Sequence, residues 1–111
     1  MASAIDRDQV YARFNQAVNM APVELEEWLD TDQSHRVGFK KDREGESVGH
    51  ASGRRILSIL AKRKTELDDD DYAHMRKVVG FVRRHSAQVP ENMVTSRWRY
   101  SLMNWGHDPL K

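Results

Sequence analysis

Apolar residues fall at helical intervals through most of the chain. Between Asp6 and Val18, the positions Val10, Phe14, Ala17 and Val18 recur at offsets of four, three and one, the spacing of a helix with one buried face. Asn19 is a natural stop. Pro22 then suits the first turn of a second helix, where it needs no amide partner. Glu24, Glu26 and Glu27 complement the dipole at that amino end, while Leu25, Trp28 and Leu29 form the buried stripe up to about Asp30 or Thr31. There the periodicity stops. Residues 32–51 contain Gly38, Gly45, Gly49 and the cluster Lys40-Lys41-Asp42-Arg43, and read as a long, basic, mobile loop between the second and third helices.

The helical pattern resumes at Ser52, a residue suited to capping, with Ile56, Leu57, Ile59 and Leu60 on one face and Lys62-Arg63-Lys64 at the end. Thr65 to Asp68 makes a tight connection. Asp68 is the expected cap of a fourth helix, with Asp69, Asp70 and Asp71 in its first turn and Tyr72, Met75, Val78, Val79 and Val82 on its apolar face. It should persist to about Ala87. A last short helix covers Arg97 to Asn104, with Trp98, Leu102 and Trp105 on one side, Gly106 just past its end and Asp108-Pro109 preventing continuation. No repeat and no alternating strand is visible. The fold class is all-α: residues 1–111 as a single-domain bundle of about five helices.

Composition narrows the chemistry. Hydrophobic residues make up 39% and charged residues 32% of 111, so the core must be economical and the surface heavily ionised. With no Cys, disulfides, thiolate zinc sites and cysteine nucleophiles are excluded. No apolar run has the form of a signal peptide or the length of a membrane span, which leads to the expectation of a cytoplasmic protein without a membrane partner. The net charge of +1 hides strong segregation: the balance is −5 over residues 1–32, +6 over 33–64, −5 over 65–71 and +5 over 72–111. Such blocks either neutralise one another across helix packing or leave one basic and one acidic face.

Several stretches together resemble a family of small proteins of unknown function (domain of unknown function 3140), found in bacteria and some fungi. They are Asn19-Met20, Glu24 to Leu29, Glu46 to His50 with Ser52 to Ile56, Asp71 to Gly80, and Arg97 to Pro109. The resemblance spans roughly residues 19–111. Ser86 departs from it, standing where a leucine would be expected. Members are often labelled DNA-binding, which the resemblance implies for this chain without supplying any catalytic or binding residue.

The segment Gly49 to Arg55 draws attention on physical grounds. If Ser52 caps the third helix, Arg54 and Arg55 lie in its first turn and oppose the dipole by about 0.3–1 kcal/mol each. A phosphate docking on the helix amides would account for them, and so would carboxylates of the second helix or of Asp69 to Asp71. It is not a nucleotide P-loop, because the Lys-Ser/Thr ending is missing. On the fourth helix, Ala73, Gly80 and Ala87 form a stripe of small residues flanked by Arg76 and Arg83 on one side and Lys77 and Arg84 on the other. It serves either as a shallow basic groove for a phosphate backbone or as a seat for another helix. A helix-turn-helix docking is disfavoured, since Asp68 to Asp71 would lead into the major groove.

Trp98 and Trp105 read as core rather than as a stacking platform for bases, leaving Arg99 and Tyr100 as the exposed pair. His74 and His85 share a helix face but stand about 16 Å apart along the axis, too far for one metal ion. His50 follows Glu46 by four residues, in a loop with no fixed geometry. No catalytic residue, metal site, cofactor or small-molecule substrate is expected, and a hydrolase built on His50, His107 and an aspartate lacks a nucleophile setting.

The leading expectation is a small DNA-binding or nucleoid-associated protein, contacting phosphates with little base specificity through Arg54, Arg55, Lys62, Lys40, Lys41, Arg43, Arg83 and Arg84. The alternative is a protein-interaction or self-associating helical module, in which the acidic second helix of one copy meets the basic region of another.

Overall fold

The computed structural model describes residues 2–40 and 45–111. Six α-helices occur among them: α1 (Ala2–Ala17), α2 (Pro22–Leu29), α3 (Asp32–Arg36), α4 (Val48–Leu60), α5 (Asp69–Ser86) and α6 (Arg97–Asn104), with one 3₁₀ turn at Lys64–Glu66. The described residues contain no strand, only an isolated antiparallel bridge between Lys40 and Ser47. The all-α class therefore holds, and the helix count rises by one.

Most helix boundaries follow from capping chemistry. Pro22 opens α2, and the Glu24 carboxylate accepts the Ala21 amide proton at 2.9 Å. Asp68 caps α5 by accepting from the Asp71 amide, and Asp71 accepts in return from the Asp68 amide. Ser96 caps α6. Gly106, at φ +79°, ends α6 in the left-handed conformation, and its carbonyl accepts the amides of Asn19 and Met20.

The expected loop over residues 32–51 is corrected at both ends. Thr31 caps α3 by accepting from the Ser34 amide, and Ser34 is fully buried. At the other end Ser47, not Ser52, caps α4, accepting from the His50 amide at 3.0 Å. Ser47 starts the helix although Gly49 and Gly53 are poor helix formers, because tertiary packing outweighs their propensity. Between these helices, Val37 is buried and the Val48 amide donates to the Phe39 carbonyl at 2.8 Å, closing the segment on itself.

One hydrophobic cluster runs through all the longer helices, with Phe14, Leu25, Ile56, Met75, Val78 and Leu102 at its centre. α1 lies along α5 and α2 packs on α4, while α6 touches α2, α3, α4 and α5. A buried polar junction fixes α6: Asn104 Oδ1 accepts from Trp28 Nε1 at 2.8 Å and from the Ser34 hydroxyl, and its Nδ2 donates to the Ser34 carbonyl at 3.0 Å. That satisfies the amide and joins α2, α3 and α6 inside the core.

α4 reaches this junction through Gly53. A Cβ there would stand 2.6 Å from the Asn104 carbonyl oxygen and 2.6 Å from a Leu29 methyl. Gly53→Ala is therefore expected to destabilise the protein by about 1–3 kcal/mol, against the gain of up to about 1 kcal/mol that alanine brings to an open helix. Urea unfolding measures the sign; an unchanged or raised midpoint would contradict this close approach.

Candidate functional site

The starting shift of α4 changes the reading of its arginines. With Ser47 as cap, Arg54 and Arg55 lie in the second turn, where no dipole argument demands an external anion. Both have intrachain carboxylates. Arg54 binds Glu46 through Nε at 2.7 Å and Nη2 at 2.5 Å. Arg55 Nη2 donates to Asp71 Oδ1 at 2.9 Å, and Lys62 Nζ donates to Asp71 Oδ2 at 2.7 Å. The Asp69-to-Asp71 explanation is thus the correct one for Arg55, whereas Glu46 was not foreseen as the partner of Arg54.

Both carboxylates are held far down the pH scale. The Arg54 guanidinium brings Glu46 to about 2 against the upward push of burial, with His50 adding to the pull. At Asp71 burial pushes upward most strongly, yet Lys62, the Asp68 amide and Arg55 together overcome it and hold the group at about 2. His50, buried beside Glu46, has its Nε2 2.8 Å from the Leu29 carbonyl and its Nδ1 against the Glu46 carboxylate. The Glu46–His50 spacing has a fixed geometry after all, because Glu46 immediately precedes the cap residue of α4.

The other predicted cations divide. Lys40 is half-buried at the bridge to Ser47, beside His35, Glu46 and His50. Lys41 and Arg43 lie outside the described residues. Arg83 and Arg84 are exposed on α5 together with Arg76 and Lys77, and none of the four forms an ion pair among the described residues. Among the described residues no other helix seats on the small-residue stripe between them. Ala73 and Ala87 are exposed, and the only side chain within 4 Å of a Cβ built on Gly80 is Arg84. The carboxyl-terminal part of α5 therefore carries an open basic strip, while Asp69 and Asp70 occupy its amino end.

Two clefts flank this strip and share Val48, Lys77 and Trp105. The first, of about 390 Å³, lies between the connection preceding α4, the start of α4, the second half of α5 and the end of α6. Phe81 and Trp105 stack in it with centroids 4.4 Å apart and planes 13° apart; His85 stacks on Phe81 at 4.9 Å. Lys77 and Arg84 contribute its charge, and no acidic side chain among the described residues lines it. The second cleft, about 450 Å³, is lined by Glu46, Ser52, Arg55, His74 and Lys77 among others.

In that second cleft the Ser52 hydroxyl lies 2.9 Å from His74 Nε2. Burial, reinforced by Arg55 and Lys77, pushes the imidazole below its ordinary value. Ser52 sits inside α4, whose amides are engaged in the helix, so no pair of free N–H groups stands ready for an oxyanion. The contact ties α4 to α5.

The aromatic expectations at the carboxyl end are revised in detail. Trp105 is buried as expected, but Trp98 is only half-buried and donates to the His85 carbonyl at 2.7 Å. Arg99 and Tyr100 are not an exposed pair: Arg99 forks onto Asp108 at 3.2 and 3.1 Å, and Tyr100 packs against Trp28 with centroids 5.2 Å apart. His107 Nδ1 lies 2.7 Å from the Ala17 carbonyl, so it belongs to the closure of α1 on the carboxyl terminus. Among the described residues no group of three or more His, Asp or Glu side chains is placed to hold a metal ion, and no helix is long and apolar enough to cross a membrane.

Residues 13–103 match the model of a family described as "Protein of unknown function (DUF3140)", and the chain belongs to that family. No curated protein and no solved structure gives a significant match.

Asp71 is the residue most sensitive to pH and substitution. Its ordinary value is 3.8 and that of Glu46 is 4.5, both lowered to about 2 in the fold. The stability they contribute is therefore complete above about pH 4.5 and is lost as pH falls toward 2. Asp71→Asn is expected to destabilise the protein by about 2 kcal/mol at neutral pH, less than a fully buried pair because Arg55 and Lys62 are partly exposed. It should also flatten the acid limb of a stability profile measured by urea unfolding from pH 6 to 2. A variant as stable as the wild type at pH 7, with the same acid limb, would overturn this role.

Proposed function

We propose that this member of the family binds nucleic acid by its phosphate backbone, with the outer face of α5 as the contact surface. The observation that carries the reading is the strip of Arg76, Lys77, Arg83 and Arg84: four exposed cations without an ion-pair partner, on a helix face that no other element covers, both among the described residues. A polyanion supplies the missing counter-charge and gains free energy by releasing its condensed counterions. Little base specificity goes with such contacts. DNA is the polymer favoured here, and the nucleoid the corresponding location in a bacterial cell. Arg54, Arg55 and Lys62 move to a supporting role, since Glu46 and Asp71 already hold them.

A self-associating module remains the second reading, favoured by one observation. Glu26, Glu27 and Asp30 on and just after α2 are exposed and unpaired among the described residues, a complement to the α5 strip. It predicts a salt-sensitive oligomer in light scattering with no nucleic acid present.

Fluorescence anisotropy with a labelled duplex at several salt concentrations tests the first reading. Affinity should fall with salt along a log–log slope of about −3 to −4, as roughly four phosphate contacts require. Replacing Arg76, Lys77, Arg83 and Arg84 together by alanine should remove binding, whereas Arg54→Ala should change it less than about threefold. Absence of binding at low salt, or undiminished binding by the fourfold variant, would refute the proposal.

A further inference from the structure

The cleft beside the strip has three features that a merely structural hollow does not need. His85, Phe81 and Trp105 among its lining residues are near-parallel and stacked on one another. Among the described residues its charged lining is wholly cationic, Lys77 and Arg84, although acids make up nearly half of the ionised residues in the chain. Phe39, 71% exposed, stands among the lining residues as a large aromatic surface left to water.

The last two constrain the occupant. The exposed ring of Phe39 selects a flat π-system, which stacks on an open aromatic face. The cations select a negative group attached to it. The volume falls at the lower end of the range of ligand sites. We propose that this cleft takes a nucleobase carrying a phosphate, the ring against Phe39 and the phosphate on Lys77 and Arg84. For its phosphate contacts the inference rests on the anion-binding reading of α5. It adds that an unpaired base is engaged, either within a single strand or as a free nucleotide. A base still stacked in a duplex is not available to such a cleft.

NMR of the full chain distinguishes the possibilities, because the indole N–H groups of Trp28, Trp98 and Trp105 report separately. Adenosine 5′-monophosphate is titrated beside ribose 5-phosphate, which lacks the base, and adenosine, which lacks the phosphate. The Trp105 indole should shift saturably with the monophosphate, and each truncated probe should bind at least tenfold more weakly. Arg84→Gln should weaken the monophosphate at least tenfold, and Phe39→Ala, at an exposed position that leaves the core intact, at least threefold. A ten-nucleotide single strand binding at least tenfold tighter than both the monophosphate and its own duplex identifies a strand as the source. Equal affinity for strand and monophosphate identifies a free nucleotide.

Ribose 5-phosphate binding as well as the monophosphate, or a Trp105 signal unmoved by every base-bearing probe, overturns the inference. If duplex binding through α5 persists in that case, the cleft proposal falls alone. If neither duplex nor strand binds while the monophosphate shifts Trp105, the polymer reading falls and the nucleotide cleft stands.

Discussion

Asp71 is the charge around which the two halves of the molecule are organised. It is buried in the first turn of α5, caps that helix reciprocally with Asp68, and receives Arg55 and Lys62 from α4 and its end. One carboxylate thus starts α5 and sets the connection from α4. A buried carboxylate is tolerated only with this many donors, because desolvation opposes its charge and each bond recovers part of that loss. Removing the charge leaves two cations facing an amide where a carboxylate stood.

The same arrangement decides which cations remain for the outside. Asp71 and Glu46 engage three of the basic side chains around α4, and Asp69 and Asp8 engage Arg7 and Lys64 at the seam between α1 and the start of α5. The far end of α5 stays outside these pairs, its four cations following one another down a face that no other described element covers. The alternation of charge along the chain therefore resolves unevenly: part of its middle blocks is paired between α4 and α5, and the α5 cations of its last basic block stay exposed. The aromatic cleft adjoins that exposed block, and the two surfaces share Lys77 and Arg84.

Much of the fold could be read from residue order, and the misses share a cause. α2, α5 and α6 were legible because Pro22, Asp68 and Gly106 are end signals that act locally and because their apolar residues recur at helical spacing. α3 was hidden: five residues without an apolar stripe give no period, and its burial depends on Ser34 meeting Asn104 seventy positions away. Ser47 and Ser52 are chemically equal as caps, and the helix begins at the earlier one in a fold where Gly53 packs against the Asn104 carbonyl, a tertiary contact that residue order does not show. That single shift undid the inference from Arg54 and Arg55. On the site itself, the α5 cations and the small stripe between them were visible in the sequence. The aromatic cleft was not, because Phe39, Phe81 and Trp105 come from three separate parts of the chain and their convergence is a tertiary fact.

Carboxylates of the chain itself hold the α4 cations, while those of α5 have no such partner among the described residues. NMR of the arginine side-chain Nε–H groups during titration with a short DNA duplex at low salt tests it most directly, residue by residue. The signals of Arg76, Arg83 and Arg84 should move with added duplex while those of Arg54 and Arg55 keep their positions. Movement of Arg54 and Arg55 with the α5 arginines unmoved would contradict it.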